Sequence, residues 1–188
     1  MKILLTGATG FIGKSLVAEL LQKNFSISIA VRQKTKLFPD EVKQFVVGDF
    51  GDNPDFSVSL SEVDCVIHLA GRAHIIDNNK ASELDGFRNI NRDLTLHLAK
   101  QAIDNGVKRF LFLSSVRVNG NQNNKPFLEA DTPNPQESYA ISKYEAEQGL
   151  IQLSQDTGLE VVIIRPPLVY GANAPGNFGK LIKWANAK

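Results

Sequence analysis

The chain has 188 residues, 43% of them hydrophobic, and a formal net charge of +1. This length suits one domain with a single core and leaves no room for a second full domain. Lysines and arginines are spread along the sequence, so we expect small-molecule partners, not nucleic acid or a membrane surface. Cys65 is the single cysteine, which excludes an internal disulfide. No stretch approaches the roughly 20 apolar residues of a membrane span, and we expect a cytoplasmic protein.

A glycine-rich turn joins the first predicted strand, residues 2–6, to the first predicted helix, residues 13–23. It reads Gly7-Ala8-Thr9-Gly10-Phe11-Ile12-Gly13. Glycines in such a turn permit unusual dihedral angles, close approach of a ligand, and close packing of helix on strand. The free N–H groups that begin the helix favour a pyrophosphate. The turn therefore predicts dinucleotide binding, although a plain turn can have the same spacing.

The second predicted strand, residues 26–31, is followed by basic residues, Arg32, Lys34 and Lys36. In dinucleotide-binding folds an acidic residue at this position accepts the ribose hydroxyls, whereas a cation holds a 2′-phosphate. The basic residues therefore favour NADP over NAD. Charges of a solvated linker would give the same pattern.

The third predicted strand, residues 44–47, leads into Gly48, Asp49 and Phe50. Asp49 at the end of this strand is predicted to hydrogen-bond the adenine amino group. The alternative is that Asp49 caps the short helical turn that follows.

Residues 64–70 form a continuous apolar run that is typical of a strand buried on both faces of a parallel sheet. Cys65 and His68 are therefore expected to pack in the core. The three histidines of the chain show no metal-ligand spacing, so no metal site is predicted.

Apolar residues recur with a helical period from Glu83 to Asn105. Asn91 and Thr95 lie one turn apart within this predicted helix. An asparagine inside a helix competes for backbone hydrogen bonds, so Asn91 either faces solvent or has a structural role.

The fifth predicted strand, residues 109–115, ends in two hydroxyl-bearing residues, Ser114 and Ser115. A long loop follows, and Ser138 is then predicted to cap a helix over residues 139–157. A sixth strand, residues 160–165, stops at a pair of prolines that begins with Pro166.

This alternation of strands and helices predicts an α/β protein with a doubly wound parallel sheet. Right-handed crossovers lead to the strand order 3-2-1-4-5-6, with the ligand outside the carboxyl ends of the strands.

Tyr139 and Lys143 are four residues apart and therefore share one face of a helix. A phenol with a pKa near 10 is a poor base at neutral pH. We expect the charge of Lys143 and the positive end of the helix to lower the pKa of Tyr139. Such a tyrosine can exchange a proton with a substrate oxygen while hydride moves to or from a nicotinamide. Ser115 could hydrogen-bond the same oxygen.

Taken together, these motifs resemble the NAD-dependent epimerase/dehydratase family, the extended branch of the short-chain dehydrogenase/reductase superfamily. The resemblance rests on residues 6–13, Gly48-Asp49, residues 68–71, Asn91 with Thr95, Ser114-Ser115 with Val118 and Gly120, residues 139–143, and residues 165–171. It implies a Rossmann fold and a catalytic set of Ser115, Tyr139 and Lys143, in which Lys143 also holds the nicotinamide ribose.

The predicted cofactor contacts come from the glycine turn, the strand ends and the resemblance together. They are Gly7, Thr9, Gly10, Phe11, Ile12, Gly13, Arg32, Asp49, Phe50, Leu69, Ala70, Gly71, Asn91, Ser114, Tyr139, Lys143 and Pro166.

Residues 114–120, Ser-Ser-Val-Arg-Val-Asn-Gly, are similar to the branch that contains UDP-N-acetylhexosamine 4-epimerases and dehydrogenases of surface-polysaccharide synthesis. The resemblance implies a UDP-linked sugar as substrate, with hydride transfer at C4. Asn119 replaces the tyrosine of many relatives, and Arg32 departs from the acidic residue of strict NAD epimerases. NAD or NADP, and epimerase, dehydrogenase or dehydratase, therefore stay open. Two other functions are an NADP-binding sensor or scaffold without catalysis, and a reductase of a non-sugar carbonyl.

Members of the family are longer than this chain, and their carboxyl-terminal part binds the nucleotide sugar. We expect residues 1–171 to form the Rossmann domain and residues 172–188 to begin the substrate-binding part, as in a truncated protein. The resemblance also implies a homodimer through the helices near residues 83–105 and 139–157.

Overall fold

The computed structural model describes residues 1–73, 80–171, 174 and 184–185 of the chain. Its strands are β1 (Lys2–Thr6), β2 (Ser26–Val31), β3 (Lys43–Val46), β4 (Cys65–His68), β5 (Arg109–Leu113) and β6 (Glu160–Ile164). They form one parallel sheet in the order β3-β2-β1-β4-β5-β6. The predicted doubly wound Rossmann sheet is confirmed.

The helices of the described ranges are α1 (Phe11–Gln22), α2 (Ser57–Leu60), α3 (Lys80–Arg88), α4 (Leu94–Asp104) and α5 (Ser138–Thr157). A π-helical turn, Asn89–Asp93, joins α3 to α4, and a 3-10 turn, Val116–Val118, follows β5. The prediction of a single continuous helix from Glu83 to Asn105 is therefore wrong at this turn. The prediction failed there because the apolar period does not reveal a local change to wider turns.

One face of the sheet, which we call the α1 face, buries only apolar side chains among the residues that the structure describes. Alternate residues of β1, β2 and β4 point to this face, where they meet α1. The buried cluster is Ile3, Leu5, Ala8, Val17, Leu20, Ile27, Ile29, Val31, Val42, Cys65 and Ile67. Cys65 is thus a core residue, as predicted.

The opposite face, which we call the α4/α5 face, is apolar in its middle and polar at one end. Leu4, Val66 and Phe112 pack there with residues of α4 and α5. Two residues further along each chain segment, the side chains that point to the same face are polar. They are Thr6 after Leu4, His68 after Val66 and Ser114 after Phe112. All three of these polar side chains are buried. The polar end of this face lies at the edge of the sheet where the ligand is expected.

Helix α5 begins one residue earlier than predicted, at Ser138, and Glu137 takes the capping position without a side-chain cap bond. The hydroxyl of Ser138 donates to Glu83 Oε2 at 3.2 Å. The predicted Ser138 cap is therefore wrong, because this side chain bonds to α3 and not to its own helix. Gly158, with φ of +76°, ends α5 as predicted.

No helix in the described parts of the chain is long and apolar enough to cross a membrane. Apart from Ala174, Trp184 and Ala185, the predicted start of a substrate-binding part, residues 172–188, lies outside the described residues.

Candidate active site

Three cavities in the described structure follow one another along the carboxyl edge of the sheet. The first has a volume of about 770 Å³, the second about 510 Å³ and the third about 740 Å³. Arg32, Asp49 and Phe50 line both the first and the second cavity. The second and third cavities lie on either side of the segment after β4, which contributes Gly71 to one and Ala73 to the other.

The glycine turn forms the wall shared by the first two cavities. Gly7 has φ of +73°, and a Cβ on it would lie 2.6 Å from the Ala70 nitrogen, so only glycine fits. A Cβ on Gly13 would lie 2.2 Å from the Gly7 oxygen, so Gly13 serves close packing behind the turn. Helix α1 starts after Gly10 without a side-chain cap, which leaves its first N–H groups available to an anion.

The adenosine end of the predicted site is polar and open. Arg32 and Lys34 are exposed and line the first cavity. Asp49 Oδ1 accepts a hydrogen bond from the Gly51 nitrogen at 2.8 Å, so this carboxylate caps its own turn and not α2. Phe50 is half-buried and packs with its ring 6.3 Å from that of Phe56.

Leu69, Ala70 and Gly71 line the second cavity. Behind them, Asn91 is fully buried, so the solvent-facing interpretation of this residue is wrong. Its Oδ1 accepts from the Arg72 nitrogen at 2.8 Å, and its Nδ2 donates to the Arg72 oxygen at 3.0 Å. Asn91 therefore fixes the backbone of the cavity wall from behind.

A chain of buried hydrogen bonds links β1 to the π-helical turn. Thr6 Oγ1 and His68 Nδ1 are 2.6 Å apart, and His68 Nε2 lies 3.0 Å from Thr95 Oγ1. Thr95 Oγ1 in turn donates to the Asn91 carbonyl at 2.8 Å. Burial lowers the pKa of His68 to about 3, with a smaller effect from the charge of Lys143. His68 is thus a neutral core residue, as predicted.

The third cavity brings together residues of the predicted catalytic set. Ser114, Ser115, Tyr139 and Pro166 line it, and Ile12 reaches it from α1. The Phe87 ring meets the Tyr139 ring edge-on, with centroids 5.9 Å apart.

Tyr139 does not have the lowered pKa that its position suggested. Burial raises the pKa of Tyr139, and this outweighs the hydrogen bond with Ser115 and the charge of Arg117, which act in the opposite direction. The cation with a lowering effect on this phenol is therefore Arg117, which forms an ion pair with Glu137 at the cavity wall.

Lys143 is almost completely buried and lines neither the second nor the third cavity; it lies behind their walls, between Gly71 of the second and Leu113 of the third. Its Nζ donates to the Leu113 carbonyl at 2.9 Å and lies 4.4 Å from the centroid of the Phe112 ring. A methyl group on Gly71 would lie 3.2 Å from this Nζ. Burial lowers the pKa of Lys143 to about 7, against the smaller opposing effect of Glu147.

Sequence reasoning missed three groups at this site: the buried carboxylate of Glu147, the Arg117–Glu137 ion pair, and Ser142, which accepts a hydrogen bond from Asn91 Nδ2 at 3.0 Å. A signal for Glu147 was present, because it follows Lys143 by four residues, as Lys143 follows Tyr139. Among the residues described, no cluster of potential metal ligands is found.

These features fit a dinucleotide. The glycines let the turn pack closely on the backbone around it, the uncapped helix start offers N–H groups to a pyrophosphate, and cavities adjoin the turn along the sheet edge. Gly7, Thr9, Gly10 and Arg32 would hold its adenosine and phosphate end, and Lys143, Tyr139 and Pro166 its nicotinamide end.

Comparison with known proteins gave one family match and several relatives. Residues 3–187 match the family described as "NAD dependent epimerase/dehydratase family". A UDP-glucose 4-epimerase of Vibrio cholerae is 44% identical over 184 residues, which is 96% of this chain and 56% of that protein. An N-acetyl-alpha-D-glucosaminyl-diphospho-ditrans,octacis-undecaprenol 4-epimerase of Escherichia coli O157:H7 is 30% identical, over 96% of this chain and 53% of that protein.

The fold is also similar to that of a UDP-glucose 4-epimerase of Thermus thermophilus, solved in complex with NAD. The TM-score is 0.82 at 27% identity, over 98% of this chain and 61% of that one. The chain spans about half the length of the curated relatives that it matches.

Proposed function

Because the chain belongs to the NAD-dependent epimerase/dehydratase family, we propose that it supplies the dinucleotide-binding part of an enzyme that acts on a nucleotide sugar. The observation that carries this proposal is the third cavity. It brings Ser115 and Tyr139 to one wall, beside the buried Lys143 and next to the cavity of the glycine turn.

Tyr139 is the proposed acid and base. The phenol, whose pKa burial raises, is protonated at neutral pH, and its place on the cavity wall would let it donate that proton to a carbonyl oxygen. Ser115 contacts the same phenol and would hold the substrate oxygen beside it. A bound nicotinamide would supply or accept the hydride at the sugar carbon. For a 4-keto sugar, Tyr139 would give its proton to the carbonyl oxygen while hydride reached C4, which would leave a hydroxyl group on the sugar and a tyrosinate at residue 139. In the oxidation of a 4-hydroxyl, the tyrosinate would take the hydroxyl proton and the nicotinamide would take the hydride.

For the substrate we propose a UDP-linked N-acetylhexosamine. Support comes from the Ser-Ser-Val-Arg-Val-Asn-Gly segment, residues 114–120. Two relatives also carry the names of 4-epimerases, one for UDP-glucose and one for a diphospho-linked N-acetylglucosaminyl lipid. Displacement of a fluorescent UDP analogue from the full-length protein tests this proposal. Strong displacement of the analogue by UDP-N-acetylhexosamines supports the proposal. If no UDP-sugar displaces the analogue, the result favours a reductase of a non-sugar carbonyl or a binding protein without catalysis.

The choice of cofactor is a separate proposal. The Thermus thermophilus neighbour was solved with NAD, which gives no support to a preference for NADP. The support for NADP is limited to the exposed cations at the first cavity, Arg32 and Lys34. Calorimetric titration of this chain with both nucleotides tests the point. NADP should bind more tightly, and Arg32→Gln should remove that difference. Equal or tighter binding of NAD by the unchanged chain contradicts the role given to Arg32.

We also propose that the full-length protein is a homodimer through the helices near residues 83–105 and 139–157. The support is an apolar side chain on α5 that no other part of the described chain covers fully: Ile151 is 40% exposed. Sedimentation of the full-length protein with and without Ile151→Glu tests it, since the charge should shift a dimer toward monomer.

Replacement of Tyr139 by phenylalanine tests the proposed activity. In the full-length protein it should lower turnover of the nucleotide sugar about 10²- to 10⁴-fold, the usual contribution of a positioned acid and base. Dinucleotide binding by this chain should persist. Tyr144→Phe is the matched control, because Tyr144 lies on the same helix and should be dispensable. Turnover that survives Tyr139→Phe would refute the assignment.

A further inference from the structure

Glu147 is a buried carboxylate that the proposed chemistry does not use. It lies on α5 one turn after Lys143 and is 0% exposed. Arg165 Nε donates to its two oxygens at 3.0 and 3.2 Å, and Arg165 Nη2 lies 2.5 Å from Oε2. The hydroxyl of Ser114 also donates to Oε1. Burying an unpaired carboxylate costs several kcal/mol, so the donors around Glu147 are needed to keep it charged in the core. Why a carboxylate is buried at this position at all calls for an explanation.

The partners of Glu147 come from the two strands that deliver residues to the third cavity. Ser114 precedes Ser115, and its nitrogen donates to the Ile164 carbonyl at 2.7 Å. Arg165 precedes Pro166, whose carbonyl accepts from the Val116 nitrogen at 3.0 Å. Glu147 therefore joins α5, which carries Tyr139, to the ends of β5 and β6.

Glu147 is also the acidic group that acts on Lys143. The groups around the ammonium are Glu147 on its own helix, neutral His68 on β4, the amide of Asn91 on the π-helical turn, and the Leu113 carbonyl. The charge of Glu147 raises the pKa of Lys143, whereas burial lowers it.

On the far side of Glu147, Arg165 holds the carboxylate in an ion pair. Glu147 therefore lies between two cations. Arg165 is at the end of β6, and Lys143 is next to the predicted cofactor site.

We propose that Glu147 is a positioning residue of the candidate active site. Through Ser114 and Arg165 it holds the ends of β5 and β6 against α5, and from one turn further along α5 it supplies a negative charge to the buried side chain of Lys143, which would donate to a dinucleotide. The effect on the dinucleotide rests on the proposed function, whereas the effect on Lys143 does not.

The direct test is an NMR titration of lysine ¹³Cε signals in this chain, with Lys143 assigned by Lys143→Arg. The unchanged protein should show a midpoint for Lys143 near 7. Glu147→Gln keeps the size of the side chain and removes its charge, so the midpoint should fall by at least about half a pH unit, about threefold in the ratio of charged to neutral lysine.

Glu145→Gln is the matched control. Glu145 lies on the same helix and is bonded by Arg88 Nε at 2.9 Å and Arg88 Nη2 at 2.6 Å. Its charge is not among the groups that act on Lys143. The variant should leave the Lys143 midpoint unchanged. Ser114→Ala keeps the charge of Glu147 and should also leave the midpoint in place.

A second variant covers the case in which Glu147→Gln does not fold because Arg165 loses its partner. Glu147→Gln combined with Arg165→Met removes both charges, and buried ion pairs often tolerate replacement by apolar groups. Its Lys143 midpoint should also fall. A folded single or double variant with the wild-type midpoint overturns the inference, and so does an equal shift in Glu145→Gln.

NADH affinity, measured from pH 5.5 to 8.5, supplies the functional readout. Affinity should decline toward alkaline pH as Lys143 loses its charge, and in Glu147→Gln the decline should begin at lower pH. A pH profile equal to that of the unchanged chain contradicts the link from Lys143 to the dinucleotide. If the unchanged chain binds neither NADH nor NADPH, the proposed function fails, and the lysine titration alone decides the role of Glu147.

Discussion

The two faces of the sheet bury different kinds of side chain. In the described part of the chain, the α1 face buries apolar residues alone, whereas the α4/α5 face adds Thr6, His68 and Ser114 from the strands. The helical segments on that side add further buried polar groups, which are Ser59, Asn91, Thr95, Ser142, Lys143 and Glu147. Buried polar groups cost free energy unless they are hydrogen-bonded, so the α4/α5 face is not built for stability alone.

The polar groups of the α4/α5 face are bonded to one another with little left over. Within the described ranges, the only buried side-chain polar atom without a hydrogen-bond partner is Asn119 Nδ2. The groups form two hydrogen-bonded sets beside the cavity walls, one that runs from Thr6 to Ser142 and one around Glu147. On the α1 face, by contrast, any apolar side chain of suitable size would serve. The contrast predicts that mutations on the two faces will differ in what they change.

The largest loss of stability should come from the α1 face. Ile29 of β2 is 0% exposed, and Ile29→Ala should lower the free energy of unfolding by about 2–5 kcal/mol, because it leaves a cavity in a close-packed core. Urea unfolding measures this loss. The Lys143 titration midpoint should stay at its wild-type value in this variant. A shifted midpoint would mean that the two faces are not separable.

Replacement of Asn91 should lower the stability less than Ile29→Ala does, and it should lower the affinity for NADH more. Asn91→Ala leaves the Arg72 backbone groups without their buried partner, which should lower the free energy of unfolding by about 1–3 kcal/mol. Because those groups shape the second cavity, NADH affinity should fall as well. Calorimetry beside urea unfolding separates the two effects. Unchanged NADH affinity in this variant would contradict the role of Asn91 in holding the cavity wall.

The smallest effect should be a change in the pH dependence of stability. His68 has a folded pKa of about 3 against an ordinary value of 6.5, so between these values the unfolded chain binds the proton more readily. Stability should therefore fall as the pH decreases below 6.5, by at most about 1.4 kcal/mol per pH unit. From pH 6.5 to 5 Lys143 adds only a small slope that fades toward pH 5, because a lysine with a folded pKa of about 7 is already mostly protonated in both states.

Replacement of His68 by glutamine keeps a hydrogen-bonding side chain and removes the titration. Urea unfolding of His68→Gln at pH 5, 5.75 and 6.5 should give a shallower decline than the unchanged chain. An equal decline in both proteins would show that groups other than His68 cause it.

Much of the fold was predictable from the sequence, because its strands are apolar, β-branched runs separated by helical periods. Residues 26–31 and 64–70 are clear cases, and right-handed crossovers then leave one order for the sheet. The glycine turn was also predictable from local sequence, because a tight turn between β1 and α1 requires a residue at Gly7 that can adopt a positive φ and pack closely on its neighbours.

The features that were not predictable depend on partners that are distant in sequence. The carboxylate of Glu147 is buried because Arg165 and Ser114 arrive from other elements, and most carboxylates on helices are exposed. The pKa of Tyr139 is raised because tertiary packing buries the phenol, which the spacing to Lys143 does not indicate. The interruption of the helix near Asn91 accompanies side-chain bonds to Arg72, which a local pattern does not contain.

The π-helical turn, Asn89–Asp93, also sets the angular relation between the segments that flank it. Each residue of a regular helix advances about 100° around the axis, so one residue more or less in this turn rotates α3 against α4 by about that amount. Phe87, which touches the Tyr139 ring, lies before the turn, and Thr95, which bonds His68, lies after it. Insertion or deletion of one residue in this segment would therefore turn Phe87 and Thr95 relative to each other and break one of their two contacts. A point substitution leaves their relative orientation unchanged. This segment should therefore tolerate changes of residue type far better than changes of length.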